Sequence, residues 1–206
     1  MSSKVRGSAE KRLLSAGRRL FAEFGVAGLS TDRLAQEASV SKGSLYKHFG
    51  GKSELFAAII DEDSRAFDID PDTELQSLEH FIKEIVEFGF ALTRLLARTD
   101  IQNMTRAMIN HAPSDPETAE LFFERAIGSA RSKLSVILRK GIQKGYIGNT
   151  IPPKRIAGYL LSLWEGIDHY RHHLQLKERP SPLTRAQVEE CTRRILGLPD
   201  ARSSED

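Results

Sequence analysis

The 206-residue chain is 40 % hydrophobic and 28 % charged, with a net charge of +2. That is the composition of an ordinary soluble globular protein, long enough for one large domain or two modest ones. No apolar run approaches the roughly 20 residues that span a bilayer. The opening "MSSKVRGSAEKRLLSAGRRLF" has no uninterrupted apolar core of the secretory kind, and the single Cys191 excludes an internal disulfide framework. These features predict a cytoplasmic protein with no membrane contact. Charge is unevenly spread. Residues 1–53 hold ten Lys/Arg against four Asp/Glu, residues 54–123 five against fifteen, and residues 124–206 fifteen against nine. The first 50 residues are therefore the part suited to a polyanion.

In chain order, Leu13, Leu14, Gly17, Leu20, Phe21 and Phe24 recur at three- and four-residue steps and predict a first helix closed by Gly25. Ser30 caps a short second helix that turns Leu34, Ala35 and Ala38 inward. After the turn "SVS", Ser41 caps a third helix with Leu45, Tyr46 and Phe49 on its apolar side. Leu45 and Phe49 read as core; Tyr46 reads equally as core or as surface. Gly50-Gly51 break this helix, and a fourth runs from Lys52 to about Phe67. Beyond the polar "DIDPDTE", helices are predicted over 74–98, 100–110, 116–144 (closed by Gly145), 153–175 and 183–197. No stretch alternates at a two-residue period, so the fold class is all-α, with about nine helices.

The sequence "GGKS" at 50–53 resembles the end of a phosphate loop, but that loop needs a glycine where this chain has Tyr46, and a strand before it. The glycines instead separate two helices. Lys52 then falls in a first helical turn, where a cation opposes the helix dipole, which predicts an external anion opposite it.

Two short helices joined by a tight turn make a helix-turn-helix. The start of its second helix offers free N–H groups to an anion and is the end that reaches base edges in the major groove. "LFAEFG" at 20–25, "LSTDRLAQEASVSKGSLYKHF" at 29–49 and "KSELF" at 52–56 closely resemble the DNA-binding domain of the TetR family of bacterial transcriptional regulators. The resemblance covers about a quarter of the chain. It implies a helix-turn-helix domain over residues 1–51 and an effector-binding and dimerisation domain over 52–206. On this reading Lys42 and Ser44 reach base edges, Gly43 lets the backbone come close, and Tyr46, Lys47 and His48 face bases or phosphates. Ser30, Thr31 and Lys52 face the DNA backbone, Ser41 is DNA-binding at the start of the third helix, and Lys4 and Arg6 form an arm along the groove. Ser39 stands where the family usually has glycine; at positive φ it would cost on the order of 1 kcal/mol.

The family resemblance also implies a homodimer on a double-stranded palindromic operator, through the last two long helices. Leu160, Leu163, Trp164, Ile167, Val188 and Ile195 are the candidate interface. A small-molecule effector would bind between, with Phe88, Met104, Met108, Phe122, Phe123 and Trp164 as candidate lining. A loose likeness of residues 122–147 to the AcrR-like branch suggests a lipophilic effector. Glu165, His169, His172 and His173 share one helical stripe at a spacing that can hold zinc. A polar helix edge is the simpler reading, so no metal and no cofactor are assigned. No nucleophile–base pairing or glycine-rich cofactor loop is present, and the chain reads as a non-enzyme. A repressor released by its effector is the leading function. The alternative is an architectural or division factor of the same fold acting through protein partners.

Overall fold

The computed structural model describes residues 2–70, 72–167, 169–174, 176 and 181–200, with side chains from residue 9 onward and excepting residue 172. Among these every regular element is helical: α1 (Ser2–Phe24), α2 (Thr31–Glu37), α3 (Lys42–Phe49), α4 (Lys52–Ser64), α5 (Leu78–Leu96), α6 (Thr99–His111), α7 (Pro116–Phe122), α8 (Ser129–Gln143), α9 (Pro153–Glu165), α10 (His169–His173) and α11 (Arg185–Leu196). The residues group into two compact units, Met1–Asp63 with Arg98–Ile127, and Ser64–Ala97 with Gly128–Asp206.

The first unit is built on α1, which packs against α2, α3 and α6. Its core is the predicted stripe: Leu13, Leu20 and Phe21 are buried, together with Leu34, Leu45, Leu55, Phe56 and Ile59 from the following helices. Each such side chain contributes about 1.5–3 kcal/mol on burial. Gly17 lets α4 come close, since a Cβ there would lie 3.0 Å from Ile59 Cδ1. Phe21 meets Phe56 edge-on at 5.5 Å, and Phe56 stacks on Phe122 at 6.1 Å. The nearly buried Asp63 carboxylate of α4 accepts from Arg18 of α1 and, at 3.1 Å, from Arg98. Arg98 in turn bonds Asp100 at 2.6 Å. A buried carboxylate needs such company, because unpaired it would carry a large desolvation cost.

In the second unit α5 is central, packed by α8, α9 and α11. Phe81, Ile82 and Ile85 are buried along it. Gly89 and Gly141 leave room for rings: a Cβ on Gly89 would meet Trp164 at 2.9 Å, and one on Gly141 would meet Phe81 at 2.4 Å. The buried Arg193 of α11 is satisfied by Glu189 and Glu79, each at 2.8 Å, and by the Pro199 carbonyl at 3.2 Å.

Several predicted helices are redrawn. The helix expected over 153–175 is interrupted at Gly166, whose φ of 69° and ψ of 167° leave the helical region and separate α9 from α10. The helix expected over 116–144 contains a π-helical stretch, Phe123–Gly128, between α7 and α8. The one expected from residue 74 begins four residues later, because Ser77 caps it by accepting from the His80 N–H at 3.1 Å. Helix four tightens to a 3₁₀ turn at Arg65–Phe67. Gly25, Gly145 and Gly197 end their helices at positive φ, as expected for C-terminal glycines.

Candidate nucleic-acid interface

The α2–α3 pair is fixed by local hydrogen bonds that its own sequence supplies. Ser30 caps α2, its Oγ accepting from the Arg33 N–H at 3.2 Å, and Ser41 caps α3, its Oγ accepting from the Ser44 N–H at 3.1 Å. Between them Ser39 has φ 52° and is the non-glycine residue at positive φ among the described residues. Its N–H donates to the Gln36 carbonyl at 3.0 Å, and the Val40 N–H donates to Ala35 at 3.0 Å. Arg12, on α1, donates from Nε to the Ala38 carbonyl at 3.0 Å and from Nη2 to the Ser39 carbonyl at 3.4 Å. A cation on these carbonyls suits the negative end of α2 and holds the turn despite its serine. Leu45, fully buried, then sets the rotation of α3 about its axis.

That rotation turns Lys42, Gly43, Tyr46 and Lys47 outward, with Ser44 and His48 at the half-buried edge. Tyr46 is 50 % exposed, so it belongs to the surface; Phe49, expected in the core, is half-buried. Nothing presses on Gly43: the nearest atom to a Cβ built there is Ser41 Oγ at 3.8 Å. Lys42 Nζ pairs with Asp32 of α2 at 3.1 Å, and both side chains are exposed. Ser30 is exposed and Thr31 half-buried at the start of α2.

Lys52 requires a correction. Its Nζ donates to the carbonyls of Ala27 and Leu29, both at 3.2 Å. The cation in the first turn of α4 is thus explained by loop carbonyls that close the α1–α2 connection, and no external anion is needed to account for it. Arg12 and Asp32 were missed by sequence reasoning, since their partners lie 26 and 10 residues away with no periodic signal. The arm at Lys4 and Arg6 falls on side chains outside the described residues.

The other predicted residues divide between the two units. Of the dimer candidates, Leu160 and Val188 are fully buried and Trp164 nearly so, all within the second unit. They pack that unit and are not available to a partner. Leu163 (43 %), Ile167 (83 %) and Ile195 (37 %) are exposed. Of the effector candidates, Met104 and Met108 are buried in the first unit, where Phe122 stacks on Phe56 and Phe123 is exposed. Phe88 is held in the second unit between Phe67 and Trp164, with centroids at 5.2 and 6.3 Å.

Trp164 alone of the six borders a cavity of about 120 Å³ at the ends of α5 and α9, walled also by Thr93, Leu96, Glu165, His169 and Leu183. Among the described residues the buried indole Nε1 of Trp164 has no hydrogen-bond partner. Burial pushes the Glu165 carboxyl up, against an opposing pull from His173. His169 bonds Glu165 at 3.2 Å and meets the His173 ring at 4.5 Å. The side chain of His172 lies outside the described residues, and among those described no three His, Cys, Asp or Glu are grouped to hold a metal.

Among the described residues no helix is long and apolar enough to cross a membrane. Residues 13–59 match the family model described as bacterial regulatory proteins, tetR family, and residues 83–197 match that of the AefR-like transcriptional repressor C-terminal domain. The chain is 24 % identical over 163 residues to the HTH-type transcriptional repressor SCO4008 of Streptomyces coelicolor, covering 79 % of this chain and 80 % of that protein. It is 28 % identical over 155 residues to the nucleoid occlusion factor SlmA of Mannheimia succiniciproducens, covering 71 % and 68 %. A TetR transcriptional regulator from Agrobacterium tumefaciens shares the fold, with TM-score 0.73 and 24 % identity over 96 % of this chain and 94 % of that one.

Proposed function

The chain belongs to the tetR family of bacterial regulatory proteins and is a DNA-binding transcriptional regulator; from that premise we propose that it is a cytoplasmic repressor that holds a palindromic operator as a homodimer and releases it when a small lipophilic molecule binds. It acts by binding and not by catalysis. The observation that carries this reading is the outward face of α3, where Lys42, Gly43, Tyr46 and Lys47 stand exposed and Gly43 has no internal neighbour that forbids a Cβ. A helical glycine costs roughly 0.5–1 kcal/mol relative to alanine. Close approach of an outside backbone is the use that offsets this cost.

In this reading Lys42 donates to guanine O6 or N7 and Ser44 meets a neighbouring base edge. Tyr46, Lys47 and His48 follow along the groove. Ser30, Thr31 and Ser41 meet backbone phosphates from the starts of α2 and α3. Lys52 has one N–H left beyond its two carbonyls and adds at most one phosphate contact. A second copy covers Leu163, Ile167 and Ile195, setting two reading heads on half-sites about 34 Å apart. The effector occupies the cavity beside Trp164, where the indole N–H offers an acceptor-bearing ligand its hydrogen bond.

The similarity to a nucleoid occlusion factor favours a second reading, a DNA-bound factor acting through protein partners. Genome-wide selection of binding sites with the purified protein separates the two. One or a few palindromes overlapping promoters support the repressor. Many scattered copies of one site support the second reading, and sequence-blind binding sinks both.

A further inference from the structure

The Lys42–Asp32 pair has little use in holding the fold. Nζ and Oδ2 are 3.1 Å apart with both side chains exposed, and such pairs contribute little to stability. The position also works against DNA affinity. Asp32 places a carboxylate in the first turn of α2, beside Ser30 and Thr31, on the most basic part of the chain. There it repels phosphate. Its interaction with the α2 dipole is favourable, but that needs no contact with Lys42.

Lysine is a flexible point charge on a four-carbon stem. Unrestrained on a DNA-facing surface, it is drawn to the nearest phosphate, which is charged, before a guanine edge, which is not. Anchored to a carboxylate, it keeps N–H groups for a neutral acceptor while the pair as a whole has almost no net attraction for the backbone. Exclusion of water in the groove strengthens the attraction within the pair. We propose that Asp32 is a positioning residue for base recognition: it holds the Lys42 ammonium at the start of α3 and diverts it from phosphate to a base edge. The inference rests on the reading of Lys42 as a base contact.

The test uses the whole 206-residue chain with the selected operator, its single-base-pair variants and a random duplex, each titrated across salt. Asp32→Asn, Asp32→Ser and Asp32→Glu are compared with wild type, alone and in a Lys42→Ala background. Loss of the carboxylate should tighten binding to random duplex and steepen the log–log salt slope by about 0.9 per half-site. It should also lower base preference about fivefold, at the same operator position that Lys42→Ala relaxes. Asp32→Glu should restore both properties, and Asp32→Asn should leave base preference unchanged once Lys42 is gone. A merely structural Asp32 would lower affinity for all duplexes alike. If Lys42→Ala relaxes one position and neither Asp32→Asn nor Asp32→Ser does, the positioning role is wrong while the Lys42 reading stands. If Lys42→Ala relaxes none, that reading falls and this one with it.

Discussion

Replacing Gly25 by alanine adds two separable costs. Gly25 closes α1 at φ 68°, its N–H donating to the Phe21 carbonyl at 3.0 Å. A Cβ there would stand 2.4 Å from His111 Cδ2 and 2.9 Å from Nε2, at the last residue of α6. Holding an L-residue in the left-handed region costs about 1–2 kcal/mol, of which about 0.4–1 kcal/mol is returned because alanine stiffens the unfolded chain. Forcing the imidazole aside adds about 1–3 kcal/mol. The expected loss is about 3 kcal/mol, or a melting temperature lower by about 6–12 °C for a chain of this size. Thermal and urea melts followed by circular dichroism, repeated in a His111→Ala background, divide that loss. Removing the ring should recover the steric part, a coupling of about 1–3 kcal/mol, and leave the backbone part. A Gly25→Ala penalty equal in both backgrounds to within about 0.5 kcal/mol would refute the contact, and a penalty that vanishes with His111 would refute the backbone cost.

Ile167→Glu, alone or with Leu163→Glu, should convert the proposed dimer to monomer in sedimentation at micromolar concentration; a persistent dimer means that another face pairs. Lys47→Ala should weaken binding to every duplex and flatten the salt slope by about 0.9 per half-site, whereas Ser44→Ala should shift base preference; interchange of the two phenotypes contradicts the assigned face of α3. Burial would raise the Asp100 carboxyl, but hydrogen bonds and charge from Arg98, with the charge of Arg18, outweigh it and hold it below the ordinary carboxylate range. Its stabilisation is therefore present above the unfolded value of about 4 and is lost as pH falls through the lower folded value. Asp100→Asn should lower the melting temperature at pH 7, by a margin that narrows as pH falls below about 4; a gap that is constant with pH is inconsistent with this linkage.

What was legible in the sequence was local. Ser30 and Ser41 as caps, and Gly25 and Gly145 as helix ends, act within one turn of chain, and the helix-turn-helix pattern is a string of such short-range signals. The break at Gly166 was not legible, because a lone glycine inside an apolar stripe reads as tolerated. The broad stripe predicted over 153–175 also left open which residues serve the unit's own core. Leu160 and Trp164 do, while Leu163 and Ile167 do not, a division set by the packing of α5, α8 and α11. Lys52 and Arg12 bond carbonyls more than twenty residues away in the chain, where no spacing rule applies. The effector candidates divide between the two units, and the sequence does not show that division: aromatic residues and methionines at helical spacing mark a core, but not which core they share.

Trp164 is the chain's single tryptophan. All indole emission therefore originates at the wall of one cavity, from a ring that is buried and whose N–H is unbonded among the described residues. A molecule entering the cavity and accepting from that N–H should move the emission to longer wavelength, giving an affinity without any label. With excitation at the red edge of the indole band, where Tyr46 on α3 does not absorb, operator alone should be optically silent unless reading head and cavity are energetically linked. Any change in tryptophan emission on adding operator would then be a direct signal of that linkage. The reciprocal shift in effector affinity with operator bound would give its size.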